Sequence, residues 1–144
     1  MTDRRTFIKS SGLLFAAAGT FGYQATYAKN NLIFDNSKDK KGMLQHNVYF
    51  WLKEGITDGE KKIFEKGLNK FLRDINEIQH YSIGIPGETP DRDVVDKSFS
   101  YSILVSFKSI ADHNIYQEHE AHHKFINDLS SLWTKVKVFD SELV

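Results

Sequence analysis

Between Thr57 and Ile78 the apolar residues recur at steps of three and four: Phe64, Leu68, Phe71, Leu72, Ile75 and Ile78. That spacing puts them on one stripe of a helix, and a helix with one apolar stripe must bury it against another element. The start of the helix is marked as well. Thr57-Asp58-Gly59-Glu60 has a hydroxyl N-cap and a Glu three residues on, the pattern of a capping box.

The neighbouring segments read as strands. Met43 to Lys53 holds Val48, Tyr49, Phe50, Trp51 and Leu52 in a short aromatic run that Gly55 breaks. Gln79 to Ile85 is a second short run, ended by Pro86-Gly87. Glu88 to Lys97 is charged, contains Pro90 and reads as a loop. From Ser98 to Phe107 the residues alternate, with Phe99, Tyr101, Ile103, Val105 and Phe107 expected on one side of a half-buried strand. Ser109 can cap a helix to about Glu118. A helical pattern continues from His119 to Leu132 with a bend expected near Glu120-Ala121, and Trp133 to Phe139 alternates as a last strand.

The order is β-α-β-β-α-β, which predicts an α+β, ferredoxin-like unit: an antiparallel sheet with its helices on one face. The other sheet face is then left open, carrying Tyr49 or Phe50, Trp51 and alternate residues of the third strand. A unit of about 100 residues does not leave so much apolar surface wet. A second copy covering it is the simplest solution, so the sequence predicts a homodimer closed into an α/β barrel.

Composition narrows the function classes. The 144 residues suit one domain, and 40% hydrophobic with 13% aromatic residues is enough for a core. A formal net charge of zero argues against a nucleic-acid binder held by bulk charge. With no cysteine there is no disulfide, thiolate nucleophile or Cys-ligated metal.

The first 28 residues stand apart. Arg4-Arg5-Thr6-Phe7-Ile8-Lys9 precedes an apolar, small-residue run from Gly12 to Gly22. The run is shorter than the roughly 20 residues of a membrane-spanning helix and fits the core of a signal peptide. The double-arginine string resembles the twin-arginine export signal of bacteria, with Asp3 where Ser or Thr is usual. Thr26-Tyr27-Ala28 offers a cleavage site. The expected organisation is an export signal at 1–28, a polar linker at 29–42 and the folded domain at 43–144. The destination is then periplasmic, with no stable membrane span after cleavage.

Three strings carry a family resemblance: His46-Asn47-Val48-Tyr49-Phe50-Trp51-Leu52-Lys53, Phe107-Lys108-Ser109, and Tyr116-Gln117-Glu118-His119-Glu120-Ala121-His122-His123-Lys124-Phe125. Together they resemble the stress-responsive A/B barrel (Dabb) family over about residues 43–141. Glu120 stands where the family's phrase usually has Pro. The resemblance implies a dimeric α/β barrel with a cleft between helices and sheet in each subunit. It also implies that some relatives are plant polyketide cyclases, which close a poly-β-ketone chain by aldol chemistry. Carried over residue by residue, the acid/base His falls at His122, the strand His at His46 and a catalytic Tyr at Tyr116. His119 belongs to the same phrase. Two further pocket positions depart, with Leu68 in place of a Tyr and Tyr101 in place of a His, and with His119 they are the candidate ligand-binding positions.

The chemistry of these groups is consistent with that implication. A histidine takes and gives protons near neutral pH, and a tyrosine hydroxyl can polarise a carbonyl oxygen. The bland reading is that His122 braces the helix bend and His46 hydrogen-bonds in the core. His119 lies three residues from His122 and four from His123, so a helix can offer two of them to one ion, but nothing completes a metal signature. No metal and no cofactor is expected, and no motif supports haem. Two functions stay open: a small-molecule enzyme of cyclase, isomerase or lyase type, or a non-catalytic stress-response or structural dimer module accessory to another exported protein.

Overall fold

The computed structural model describes residues 40–144. The expected export signal and all but the last three residues of the expected linker lie outside the described residues. The elements follow the order β1 (Leu44–Leu52), α1 (Asp58–Asp74), β2 (Ile78–Gly84), β3 (Tyr101–Phe107), α2 (Ile110–Glu118), α3 (Glu120–Leu129), a 3-10 turn (Ser130–Leu132) and β4 (Trp133–Glu142). The four strands form one antiparallel sheet in the order β2-β3-β1-β4. This is the ferredoxin-like α+β arrangement, with three helices in place of the two expected.

Local signals set the helix ends. The Thr57 side chain accepts from the Glu60 amide, and the Glu60 carboxylate accepts from the Thr57 amide at 2.8 Å, closing the capping box. Gly55, at φ +69°, makes the turn between β1 and that cap, a conformation L side chains rarely adopt. Ser109 caps α2 by accepting from the Asp112 amide. The bend expected at Glu120-Ala121 falls at His119, whose extended backbone (φ −68°, ψ 137°) separates α2 from α3.

The register decides which residues meet the helices. Leu44, His46, Val48 and Phe50 of β1 pair with Phe107, Val105, Ile103 and Tyr101 of β3, and all eight are buried. Against them pack Phe64, Leu68, Phe71 and Leu72 of α1, Tyr116 of α2 and Phe125 of α3. Phe125 stacks between Phe71 and Trp133, with ring centroids 4.4 Å and 5.6 Å away. A Cβ at Gly67 would overlap the Leu129 side chain, so the glycine is what lets α1 approach α3.

The opposite sheet face is more polar than expected. Phe50 belongs to the core, so the open face takes Tyr49 and Trp51 from β1. The aromatic residues of β3 all turn to the helices, and the strand gives the open face Ser102, Leu104 and Ser106. Phe99 does not share a side with Tyr101. β3 begins only at Tyr101, after a bend in which Ser100 donates its amide to the Phe50 carbonyl at 2.7 Å, and Phe99 packs against Tyr49 at 5.0 Å. Phe139 lies 6.0 Å from Tyr49, and the Lys135 ammonium sits 4.1 Å from the centroid of the Trp51 ring. Among the described residues, no helix is long and apolar enough to cross a membrane.

Candidate functional site

Of the residues singled out in the sequence, three converge. Tyr116, on the last turn of α2, has its ring centroid 5.6 Å from His46 on β1 and 4.6 Å from His122 on α3. On one straight helix Tyr116 and His122, six residues apart, would point about 120° away from each other. The extended residue His119 between them resets the direction of the chain and turns both rings to the same place. The break is itself braced by histidines. His119 Nδ1 accepts from the Ala121 amide at 3.1 Å, and His122 Nδ1 lies 3.1 Å from the Gln117 carbonyl, to which it donates.

The other three candidates lie elsewhere. Leu68 is wholly buried in the core, and Tyr101 donates its hydroxyl to Glu65 at 2.6 Å. Burial and that carboxylate push the Tyr101 phenol up to about 12. His119, besides capping α3, borders a groove of about 440 Å³ between α1 and α3. The floor of that groove is apolar, with Ile63, Phe71, Phe125 and Leu129. Four of its rim charges are paired within their own helices, Lys70 with Asp74 and Lys124 with Asp128.

Two members of the convergent group were not singled out in the sequence. Asp140 stands opposite His46 in the β1–β4 register, and its Oδ1 is 2.6 Å from His46 Nδ1. His113, one turn before Tyr116 on α2, brings its ring centroid within 4.9 Å of His46. Its Nε2 is 3.0 Å from the Gln117 side-chain nitrogen. Both carry a signal readable afterwards: His113 shares a helix face with Tyr116, and Asp140 continues the alternation of Val136 and Val138.

The electrostatics follow from burial. His46 is 4% exposed, and desolvation holds its pKa below the ordinary histidine value, although the Asp140 hydrogen bond and charge oppose the shift. His122 is also lowered, first by burial and further by His123, His46 and His113, against the stabilising Gln117 carbonyl. Tyr116 is raised above its usual value, by burial first and by the Asp140 charge second. Around neutral pH the site therefore offers two neutral imidazoles beside a phenol that keeps its proton. Asp140, on the edge strand β4, is the solvent-facing member of the group. Val136 and Val138 share the helix-side face with Phe50 and Val48, yet remain 40% and 45% exposed, beyond the stretch at Trp133 that the helices cover.

A small antiparallel α+β protein with a histidine–tyrosine cluster at one end of its helix layer is the class these features define. The sequence profile of the stress responsive A/B barrel domain matches residues 44–143, and the chain belongs to that family. Among proteins of curated function, none matches it. Solved structures share the fold. A Dabb family protein with a ferredoxin-like fold from Mesorhizobium loti is 24% identical at a TM-score of 0.59, over 72% of this chain and 99% of its own. A dimeric ferredoxin-like protein of unknown function from Thermobifida fusca is 15% identical at 0.58, over 70% and 91%. The hydroxynitrile lyase of Passiflora edulis is 15% identical at 0.61, over 72% and 95%.

Proposed function

We propose that this chain is an exported, homodimeric Dabb protein that binds a small organic ligand beside Tyr116 and acts on it by histidine acid–base chemistry. The observation that carries the reading is the placing of the Tyr116 ring between His46 and His122, next to the uncovered valines of β4. In this reading the ligand carries a carbonyl. The protonated phenol of Tyr116 donates to the carbonyl oxygen, and the neutral His122 accepts a proton from the adjacent carbon. Asp140 holds His46 in one orientation at the side of the ligand. An apolar portion of the ligand would lie on Val136 and Val138. The lyase from Passiflora edulis gives this reading a fold-level precedent and no more.

The same geometry favours a second reading on one specific point. His119 and His122 already serve the α2–α3 break, as cap and brace, which is what a non-catalytic dimer module accessory to another exported protein would need from them. Mass spectrometry of the small molecule that co-purifies with the natively expressed protein, repeated with Tyr116→Phe, separates the two. The expected result is a bound carbonyl compound, with occupancy at least about 10-fold lower in the variant, as for the loss of an interaction worth roughly 1.4 kcal/mol. An empty protein, or one whose occupancy ignores Tyr116, overturns the ligand reading.

Dimerisation through the open sheet face and export are parts of the same proposal. Solved structures of this fold from Thermobifida fusca, Bacteroides fragilis and a Jannaschia species are described as dimeric. Tyr49, Trp51, Phe99, Leu104 and Phe139 give the face an apolar patch that a second copy would cover. Sedimentation at low micromolar concentration should give two subunits, and one subunit for Tyr49→Asp. A wild-type monomer sinks the barrel. Replacing Arg4 and Arg5 by Lys should abolish periplasmic accumulation, and unchanged export sinks the twin-arginine route.

A further inference from the structure

We propose that His46, His113 and Asp140 form a binding site for one divalent transition-metal ion of the zinc class. The three residues come from three different elements, β1, α2 and β4, and one donor atom from each lies within 4.8 Å of the other two. Among the described residues this is the one such group. Two imidazoles and one carboxylate are the donor set that suits zinc, iron(II) and their neighbours, whereas calcium and magnesium prefer oxygen alone. Donors on one ion with bonds of about 2.0–2.2 Å sit somewhat closer than 4.8 Å. The His46–Asp140 pair, 2.6 Å apart in its hydrogen bond, opens and releases the shared proton while the third donor closes in, and both movements fall on the residues free to make them. Asp140 has 45% of its side chain exposed and His113 is partly exposed, while His46 is fixed in the core.

The surroundings suit an ion that keeps an open position. The exposed side of Asp140 and the uncovered β4 edge leave room for water or a ligand oxygen. Tyr116, whose ring neighbours both His46 (5.6 Å) and His113 (5.9 Å), stands at the border of the site without belonging to the donor set. The sequence spacing offered His119 with His122 or His123, three and four apart, and completed no metal signature. The fold uses the His119 ring as the cap of α3, which leaves His123 exposed on its own.

The ion would sit beside the organic ligand proposed above and polarise its carbonyl oxygen as a Lewis acid, so the inference deepens that reading of the site. Its test needs no ligand, and either can fail alone. The full chain, stripped with a chelator, is titrated with Zn(II) by calorimetry and with Co(II) by visible absorption. One ion per chain is expected, with ligand-field bands of a low-symmetry N/O site and a rise in melting temperature on binding. Asp140→Asn and His113→Gln, both near-isosteric changes at partly exposed positions, should each weaken binding about 10-fold or more. His123→Gln should leave the affinity unchanged, and Tyr116→Phe should leave the stoichiometry unchanged. Absence of stoichiometric binding, or binding lost in His123→Gln and kept in His113→Gln, overturns the site. In either case the co-purification result with Tyr116→Phe still decides the ligand reading.

Discussion

The layer between helices and sheet has two ends, and β1 runs through both. At one end Phe50 meets Phe64, Phe125 and Trp133, with ring centroids 5.3–6.2 Å away. At the other, four residues earlier on the same face, His46 meets His113, Tyr116 and Asp140. Both positions are 4% exposed. The aromatic end is held by area and close packing, which is non-directional and tolerates any well-fitting shape. The histidine end gives up that packing for a set of polar groups that must each find a partner, and no buried side-chain nitrogen or oxygen among the described residues is left without one. A small domain that gives up part of its core in this way carries an arrangement that stability alone does not call for. The contrast is one ground for the site proposed at the His46 end.

Two substitutions break the contrast in different ways. Phe64→Ala empties the centre of the aromatic end, where the ring is 0% exposed, and should cost about 3–5 kcal/mol. Thermal unfolding at fixed protein concentration reads it, and a loss near 1 kcal/mol would mean that this end is not the principal support of the fold. Asp140→Ala touches the other end. It leaves the buried His46 without its partner, and a stability loss of about 1–3 kcal/mol is expected. If Asp140→Ala proves as costly as Phe64→Ala, the His46 end is structural and the division drawn above fails.

The aromatic end was legible in the sequence, and the histidine end only in part. The capping box at Thr57–Glu60 and the stripe from Phe64 to Ile75 rest on contacts within a turn or two of helix, so spacing alone reveals them. The strand order follows from the succession of elements. The His46–Asp140 pair joins residues 94 apart and exists only because β1 and β4 pair in one particular register, which no local pattern specifies. His113 was invisible for the same reason, since its partners lie on other elements. The family resemblance supplied His46, Tyr116 and His122, where periodicity alone would have given scattered polar residues on amphipathic elements. It also named Leu68 and Tyr101 as lining positions; in this chain the first is buried in the core and the second donates its hydroxyl to Glu65. The break between α2 and α3 announced itself as a loss of periodicity, but its position at His119 depends on which side chain takes the cap.

The smallest effect expected separates the brace from the core. His122 has a folded-state pKa below its unfolded value, lowered by burial and by His123 on its own helix, His46 on β1 and His113 on α2. The unfolded chain therefore binds the proton more tightly than the folded one. The sign follows directly. Stability is level above about pH 7, falls as pH drops through the unfolded histidine value near 6.5, and levels again below the lower folded value. His46 is shifted in the same direction and adds to the fall. Carboxylates held low by their partners, such as Glu60 and Asp74, titrate at more acid pH and leave this window clear. Chemical denaturation from pH 7.5 to 5.5, with chelator present, should show the fall in the wild type and a shallower one in His122→Gln. The variant keeps a donor for the Gln117 carbonyl but cannot take up a proton. An unchanged slope in His122→Gln would assign the whole dependence to His46 and leave His122 as a plain brace of the α2–α3 break, which would remove it from the acid–base role proposed here.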